Sequence, residues 1–238
     1  MDYYIGCSGY HYKDWKGKFY PEGTKQKEWL PYYAEHFNTV EINNSFYKTP
    51  SEKTMKDWYD QTPKDFLFTV KGNRYITHMK KLKDVSGSVH GFYESIKPLD
   101  DKAGAVLWQL PGNLHNNPEK LTAFCKQLAG DYVNVLEFRH ESWFNDEIRK
   151  ILDNHKVAMC SLSAPNNLPD NLEDASGNIY IRFHGKNDWY KHDYSQDELE
   201  MWQKRIRESK AGICFAYFNN DVGAHAPHNA LALKEMLE

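Results

Sequence analysis

Short apolar runs alternate with amphipathic ones along this whole chain, and that rhythm restricts the folds open to it. Runs with strand character are Tyr3–Cys7, Thr39–Ile42, Phe66–Val70, Ala105–Leu110, Val133–Phe138, Val157–Ser161, Ile179–Phe183 and Ile213–Phe218. Helical signals lie over Glu28–His36, Ser51–Asp60, Ser86–Ile96, Pro118–Leu128, Asp146–Asn154, Gln196–Ser209 and Ala226–Leu237. Ser195 with Glu198 has the spacing of a complete capping box, and Ser51 with Thr54 supplies half of one. Alternating strands and helices build parallel sheets with helical crossovers. Eight such units in 238 residues fit one α/β domain over 1–238, a closed (β/α)8 barrel, a fold that runs to about 250 residues. The alternative is an open doubly wound sheet. Gly6-Cys7-Ser8-Gly9-Tyr10 lacks the glycine spacing of a phosphate-binding turn after the first strand. The long connections Gly9–Lys27 and Ser163–Asn178 read as surface loops, because the rhythm continues on both sides of each.

Composition narrows the partners. A net charge of −3 gives no basic excess of the kind that nucleic acid or a membrane surface attracts, so neither is expected as a partner. No apolar stretch approaches the ~18 residues of a membrane span. Met1 runs directly into Tyr3-Tyr4-Ile5 with no basic or apolar leader, and the expectation is a cytoplasmic protein. Cys7, Cys125, Cys160 and Cys214 form no C-x-x-C pair and fall in apolar runs, as reduced, buried thiols do.

The polar residues at the strand ends carry the functional reading. Side chains alternate faces along a strand. If Leu136 and Phe138 face the helices, Glu137 and Arg139 point into the barrel. By the same phase Glu41 and Asn43, Thr69 and Lys71, and Arg182 and His184 point inward, with Gln109 beside Leu107 and Asn219 beside Tyr217. Inward charges are costly unless paired or hydrated. These gather at the C-terminal ends of the strands, where barrel enzymes keep their sites. Lys71, Arg139 and Arg182 outnumber Glu41 and Glu137, which suits an anionic ligand. The same residues also fit ion pairs that fill the barrel top and do nothing else.

Motifs in order along nearly the whole chain are similar to a known family. They include Gly6-Cys7-Ser8-Gly9-Tyr10 with Trp15, Val40-Glu41-Ile42-Asn43-Asn44-Ser45-Phe46-Tyr47, Phe68-Thr69-Val70-Lys71 and Ile76-Thr77-His78. Further along come Leu107-Trp108-Gln109-Leu110-Pro111, Glu137-Phe138-Arg139-His140-Glu141-Ser142-Trp143, Tyr180-Ile181-Arg182-Phe183-His184-Gly185 and Phe218-Asn219-Asn220-Asp221. The chain resembles the family catalogued as domain of unknown function 72, with Tyr10 standing where that family more often has Trp. The resemblance implies a TIM-type barrel and lends no activity, since fold alone does not specify one.

Three functional readings follow. The first is an enzyme acting on a small anionic molecule, phosphate- or carboxylate-bearing and sugar-like in size. Glu41, Glu137, Lys71 and His184 are its catalytic candidates, with Lys71 an electrophile or a Schiff-base amine. Asn43, His78, Gln109, Arg139, Arg182 and Asn219 would bind substrate, with Tyr10, Trp15, Tyr47 and Trp143 as aromatic walls. The second is metal-assisted hydrolysis on Glu41, Glu137, His78 and His184, which the neighbouring cations oppose. No cofactor is expected, and a divalent metal stays open. The third is metabolite binding without turnover. A specific anion position is expected near His184, Asn219 and the amides around His225, where Gly185 and the helix start at Pro227 would let backbone approach a ligand.

Overall fold

In the computed structural model, which describes residues 1–165, 168–174 and 176–238, every strand pairing is parallel. The strands are β1 (Asp2–Cys7), β2 (Thr39–Ile42), β3 (Leu67–Lys71), β4 (Ala103–Gln109), β5 (Val133–Glu137), β6 (Ala158–Met159), β7 (Ser161–Ser163), β8 (Asn178–Phe183) and β9 (Ile213–Phe218). Their spatial order is β6-β5-β4-β3-β2-β1-β9-β8-β7. There are thus nine segments where the sequence rhythm suggests eight. The reason is local. β6 and β7 are separated by Cys160 alone, β6 pairs with β5, and β7 pairs with β8. Staggered strands in a barrel meet their two neighbours at different heights, so one run of chain serves both edges and brings the ends of the sheet together.

The helices α1 (Trp29–His36), α2 (Glu52–Asp60), α3 (Ser86–Ile96), α4 (Pro118–Cys125) and α5 (Asp146–Asn154) fill the crossovers from β1 to β6. α6 (Gln196–Glu208) joins β8 to β9, and α7 (His225–Leu237) follows β9. Ser51, Asn117, Asn145 and Ser195 each accept a backbone N–H at a helix start, and Ser195 with Glu198 completes the expected capping box. The connection from β7 to β8 holds no helix among the described residues. Among the described residues no helix is long and apolar enough to cross a membrane, and all four cysteines are free and buried.

Strand alternation separates two apolar cores. Ala105, Leu107, Val135, Cys160, Leu162, Tyr180, Phe215 and Tyr217 pack inside the barrel. Their neighbours in sequence, including Val106, Trp108, Leu136, Ile181 and Ala216, pack outward with the helices. The inward phase read from the sequence is the phase observed.

One seam depends on a side chain. β1 registers with β9 over six residue pairs, from Asp2↔Ile213 to Cys7↔Phe218, but with β2 only at Cys7↔Val40. Below that point the Tyr33 hydroxyl of α1 stands between the strands. It accepts from the Cys7 amide at 2.7 Å and donates to the Thr39 carbonyl at 3.0 Å. Gly6 leaves room for it, since a Cβ there would lie 2.3 Å from the Thr39 oxygen and 2.7 Å from the phenol. Tyr33→Phe should therefore cost roughly 1–3 kcal/mol, the cost of leaving buried backbone groups unpaired. Urea unfolding measures it, and a loss below about 0.5 kcal/mol would show that the seam closes without the hydroxyl.

Candidate active site

Polarity rises along the barrel axis in layers set by strand register. Below the charged layer, the Tyr217 hydroxyl hydrogen-bonds both Thr39 and Thr69 at 2.7 Å. Above it, Arg182 from β8 reaches across the barrel to both inward carboxylates. Its Nη2 donates to Glu41 at 2.6 Å, and its Nη1 donates to Glu137 at 2.7 Å. Glu41 also accepts from the Ser8 hydroxyl and the Tyr180 phenol, each at 2.6 Å. Glu137 accepts from Arg139 Nε as well.

These contacts fix the protonation states. Burial by itself raises the pKa of both carboxyls, but their partners outweigh it. Arg182, Lys71, Ser8 and Tyr180 hold Glu41 below the usual carboxylate range. Arg139, Arg182 and His184 hold Glu137 well below it. Burial, then Arg139 and Arg182, push His184 well below the usual histidine range, so it is neutral. Its Nε2 faces Arg139 Nη2 at 2.9 Å and Arg182 Nη1 at 3.4 Å. Guanidinium groups only donate, so Nε2 accepts and the ring proton sits on Nδ1, 3.0 Å from the Asn219 amide. An Asn219 rotamer with its oxygen toward the ring receives that proton.

Over this layer opens a cavity of about 680 Å³. Lys71, Arg74, Arg182 and Asp221 are its charged wall, and Asn43, His78, Gln109 and Asn219 its neutral polar wall. Tyr12, Phe46, Tyr47 and Tyr190 supply aromatic surface. Lys71 is only 9% exposed. Its ammonium lies 4.6 Å from the centre of the Phe46 ring and, among the described residues, has no salt-bridge or hydrogen-bond partner. Burial and then Arg182 lower its pKa, Glu137 and Glu41 oppose them, and the balance falls at about 8. His78 stands edge-on to the same ring at 4.9 Å. Its pKa is lowered by burial and by Lys71.

The structure brings together Asn43, Lys71, His78, Gln109, Arg182, Asn219 and Tyr47 around one cavity, with Glu41, Glu137, Arg139 and His184 behind it. It does not bring the other aromatics there. Trp15 is fully buried and donates its indole N–H to the Asp221 carbonyl at 3.1 Å. Trp143 is fully buried, stacked on Phe138, and donates to the Leu114 carbonyl. Both are core residues, because a large ring with one satisfied donor gains most from burial. Tyr10 lines a separate, neighbouring depression with His11, Ile42, Asn44 and Trp58.

At the anion position expected near the last helix, part of the donor set is already engaged by the protein itself. The Ala226 amide already donates to the Asn220 carbonyl at 3.0 Å, and His225 Nδ1 lies 3.3 Å from Asp193. Gly185 serves its own turn: its φ is +107°, and a Cβ there would sit 2.2 Å from the Asp188 carbonyl oxygen. Asp221 lines the cavity, its pKa raised by burial. Among the described residues no three His, Cys, Asp or Glu side chains are grouped as a metal ion would require. The sequence reading did not single out Tyr12, Arg74, Tyr190 or Val222. All lie in loops beyond the strand ends, where period-2 alternation gives no signal. Tyr180 was findable, since it shares the phase of Arg182 and His184.

Residues 4–238 match the family described as Protein of unknown function DUF72. The UPF0759 protein YunF of Bacillus subtilis (strain 168) is 28% identical over 275 aligned positions, which cover 99% of this chain and 94% of that protein. The UPF0759 protein YecE of Escherichia coli (strain K12) is 33% identical over 118 positions, 48% of this chain and 43% of that protein. Among solved structures, a DUF72 family protein of Thermotoga maritima MSB8 superimposes with a TM-score of 0.90 at 30% identity, covering 100% of this chain and 99% of that one. A second, from Enterococcus faecalis V583, gives 0.80 at 21% identity over 99% and 97% of the two chains, a likeness of fold.

Two substitutions separate the cations by role. Arg182→Met strips the shared partner from two buried carboxylates and should destabilise the protein by about 3–5 kcal/mol. Lys71→Met should do the opposite at neutral pH. A lysine whose folded pKa is depressed penalises folding fully below about pH 8. That penalty, on the order of 3 kcal/mol at about 1.4 kcal/mol per pH unit, fades as the pH climbs toward the unfolded value of about 10.4. Urea unfolding between pH 7 and pH 10 should therefore show the variant more stable at pH 7 and the gap closing upward. A Lys71→Met chain that is weaker than wild type at pH 7 would make the amine a structural group.

Proposed function

The chain belongs to the DUF72 family, and for it we propose that the cavity at the barrel mouth binds a small anionic molecule and performs acid–base chemistry on it. The observation that carries this reading is Lys71, a nearly buried amine with no carboxylate partner on the wall of a polar cavity. Structural ion pairs alone account for Arg182, Arg139, Glu41 and Glu137. They do not account for Lys71, whose burial without a partner is costly in the absence of a ligand. With Arg182 committed to Glu41 and Glu137, Lys71 and Arg74 outnumber Asp221 on the cavity wall, which favours a phosphate or carboxylate there.

In this reading Lys71 is the group that exchanges protons near neutral pH, and His78 is a neutral relay beside it. Glu41, Glu137 and His184 are positioning residues: their acceptor atoms are taken, and they hold Arg182 and Arg139 in place. Asn43, Gln109 and Asn219 orient the ligand, and Tyr12, Tyr47 and Tyr190 shield it. The free, buried cysteines support a reducing, cytoplasmic setting.

Thermal unfolding in inorganic phosphate, in small mono- and dicarboxylates, and in chloride of equal ionic strength tests the binding step. Phosphate or a carboxylate should raise the Tm of wild type beyond the chloride control, and the rise should be largely lost in Lys71→Met and Arg74→Ala. No anion-specific rise up to tens of Kd-equivalents, or the same rise in both variants, would overturn the reading.

A further inference from the structure

Two lysines are buried in this protein, and their surroundings differ. Lys102 donates to the Tyr59 carbonyl at 2.5 Å, the Thr62 carbonyl at 2.8 Å and the Thr62 hydroxyl at 3.1 Å. All three ammonium protons have acceptors, as a structural lysine requires. Lys71 has none of this. Its main chain is fixed, with the Lys71 carbonyl accepting from Ser45 at 2.7 Å and the next amide, Gly72, donating to Leu107 at 2.8 Å. Only the amine is left free, held over Phe46 and open to the cavity.

We propose that Lys71 captures a carbonyl carbon, so that the anionic molecule bound here is an aldehyde or ketone held as an iminium on Lys71 Nζ. This rests on the cavity being the ligand site proposed above, and it adds the substrate class. The neutral amine adds to the carbonyl carbon, a C–N bond forms, and the carbonyl π pair moves to oxygen. That oxygen takes up one proton from the amine nitrogen to give the carbinolamine. A second proton, delivered from outside, lets it leave as water while the nitrogen lone pair closes the C=N bond. The net change is amine, carbonyl and one proton to iminium and water.

The walls suit each part of this step. An amine reacts only when unprotonated, and burial beside Arg182 favours that form. His78 shares the Phe46 ring and the cavity with the amine: its Nδ1 is engaged by the Thr77 hydroxyl at 2.9 Å, and its Nε2 has no protein partner among the described residues. Amide donors from Asn43, Gln109 and Asn219 line the space where carbonyl oxygen charge develops. The iminium carries the same single positive charge as the ammonium, so Arg182 and its two carboxylates need not rearrange.

Reductive trapping tests it on the full chain. The protein is incubated at pH 7.5 with pyridoxal 5′-phosphate, and separately with glyoxylate, in the presence of cyanoborohydride, and the adduct is mapped by peptide mass spectrometry. The expected result is one saturating adduct on Lys71, forming at least roughly tenfold faster than on any exposed lysine. Lys71→Arg, which keeps the charge, should lose that fast phase, and circular dichroism shows whether it is folded. Modification spread evenly over surface lysines, with Lys71 unlabelled or no faster, overturns the proposal whether or not the variant folds. The two readings fail separately. Anion-dependent stabilisation without a Lys71 adduct removes the carbonyl inference alone. A Lys71 adduct with glyoxylate and pyridoxal phosphate that phosphate neither slows nor stabilises against removes the anion reading and leaves the amine chemistry.

Discussion

The upper half of this barrel is organised by Arg182, a guanidinium 1% exposed that spans two buried carboxylates from opposite sides of the ring. Against the cost of burial, Arg182 is the main influence holding Glu41 ionised, and it shares that task with Arg139 at Glu137. The arrangement is costly to assemble, since the desolvation of three charges is repaid only if geometry and hydrogen bonds are good. The Ser8 hydroxyl and Tyr180 phenol on Glu41, and Arg139 on Glu137, supply that completion. One nitrogen is left over: Arg182 Nε is buried with no partner among the described residues.

That clamp sets the electrostatics of everything above it. With both carboxylates committed to guanidinium groups, no carboxylate among the described residues pairs directly with Lys71. The amine is close enough to feel Arg182 and buried enough to be poorly hydrated, and both effects disfavour its charge. His184 is drained of its proton by burial and then by Arg139 and Arg182, and becomes an acceptor that steadies them. Arg139 is held in turn by the Trp189 ring, 4.7 Å from its guanidinium carbon. The cavity thus sits over a densely hydrogen-bonded floor and is walled by loops. Precise placement of reactive groups needs that division.

The aromatic residues divide along the same line. Trp15, Trp108, Trp143 and Trp202 are buried, and Trp15 and Trp143 each tie down a loop carbonyl. Tyr47, 70% exposed, and Tyr190, 41% exposed, stand at the rim. Residue type alone does not tell these apart. The indoles of Trp15 and Trp143 donate to backbone carbonyls and that of Trp108 to the Asn134 side chain, while Trp29 is buried with its indole N–H unpaired among the described residues.

What the sequence determined by itself follows from short-range rules. Strand–helix alternation gave the parallel barrel, and period 2 placed Glu41, Lys71, Glu137 and Arg182 on the inner face, because a strand has only two faces and one of them was visibly apolar. The capping pair Ser195 and Glu198 was likewise local. What only the tertiary structure decided are facts of distance between strands far apart in sequence. Arg182, a ligand-binding candidate in the sequence, meets Glu41 and Glu137 and donates to both from the cavity floor. Lys71 meets no carboxylate. Trp15 and Trp143 turn inward, and Arg74, Tyr12 and Tyr190 reach the cavity from loops. The division of the sixth strand at Cys160 belongs here as well, because barrel stagger is a property of the closed ring and leaves no mark on any one strand. Pairing among inward charges is set by register and barrel diameter, and neither is written in the order of residues along a single run.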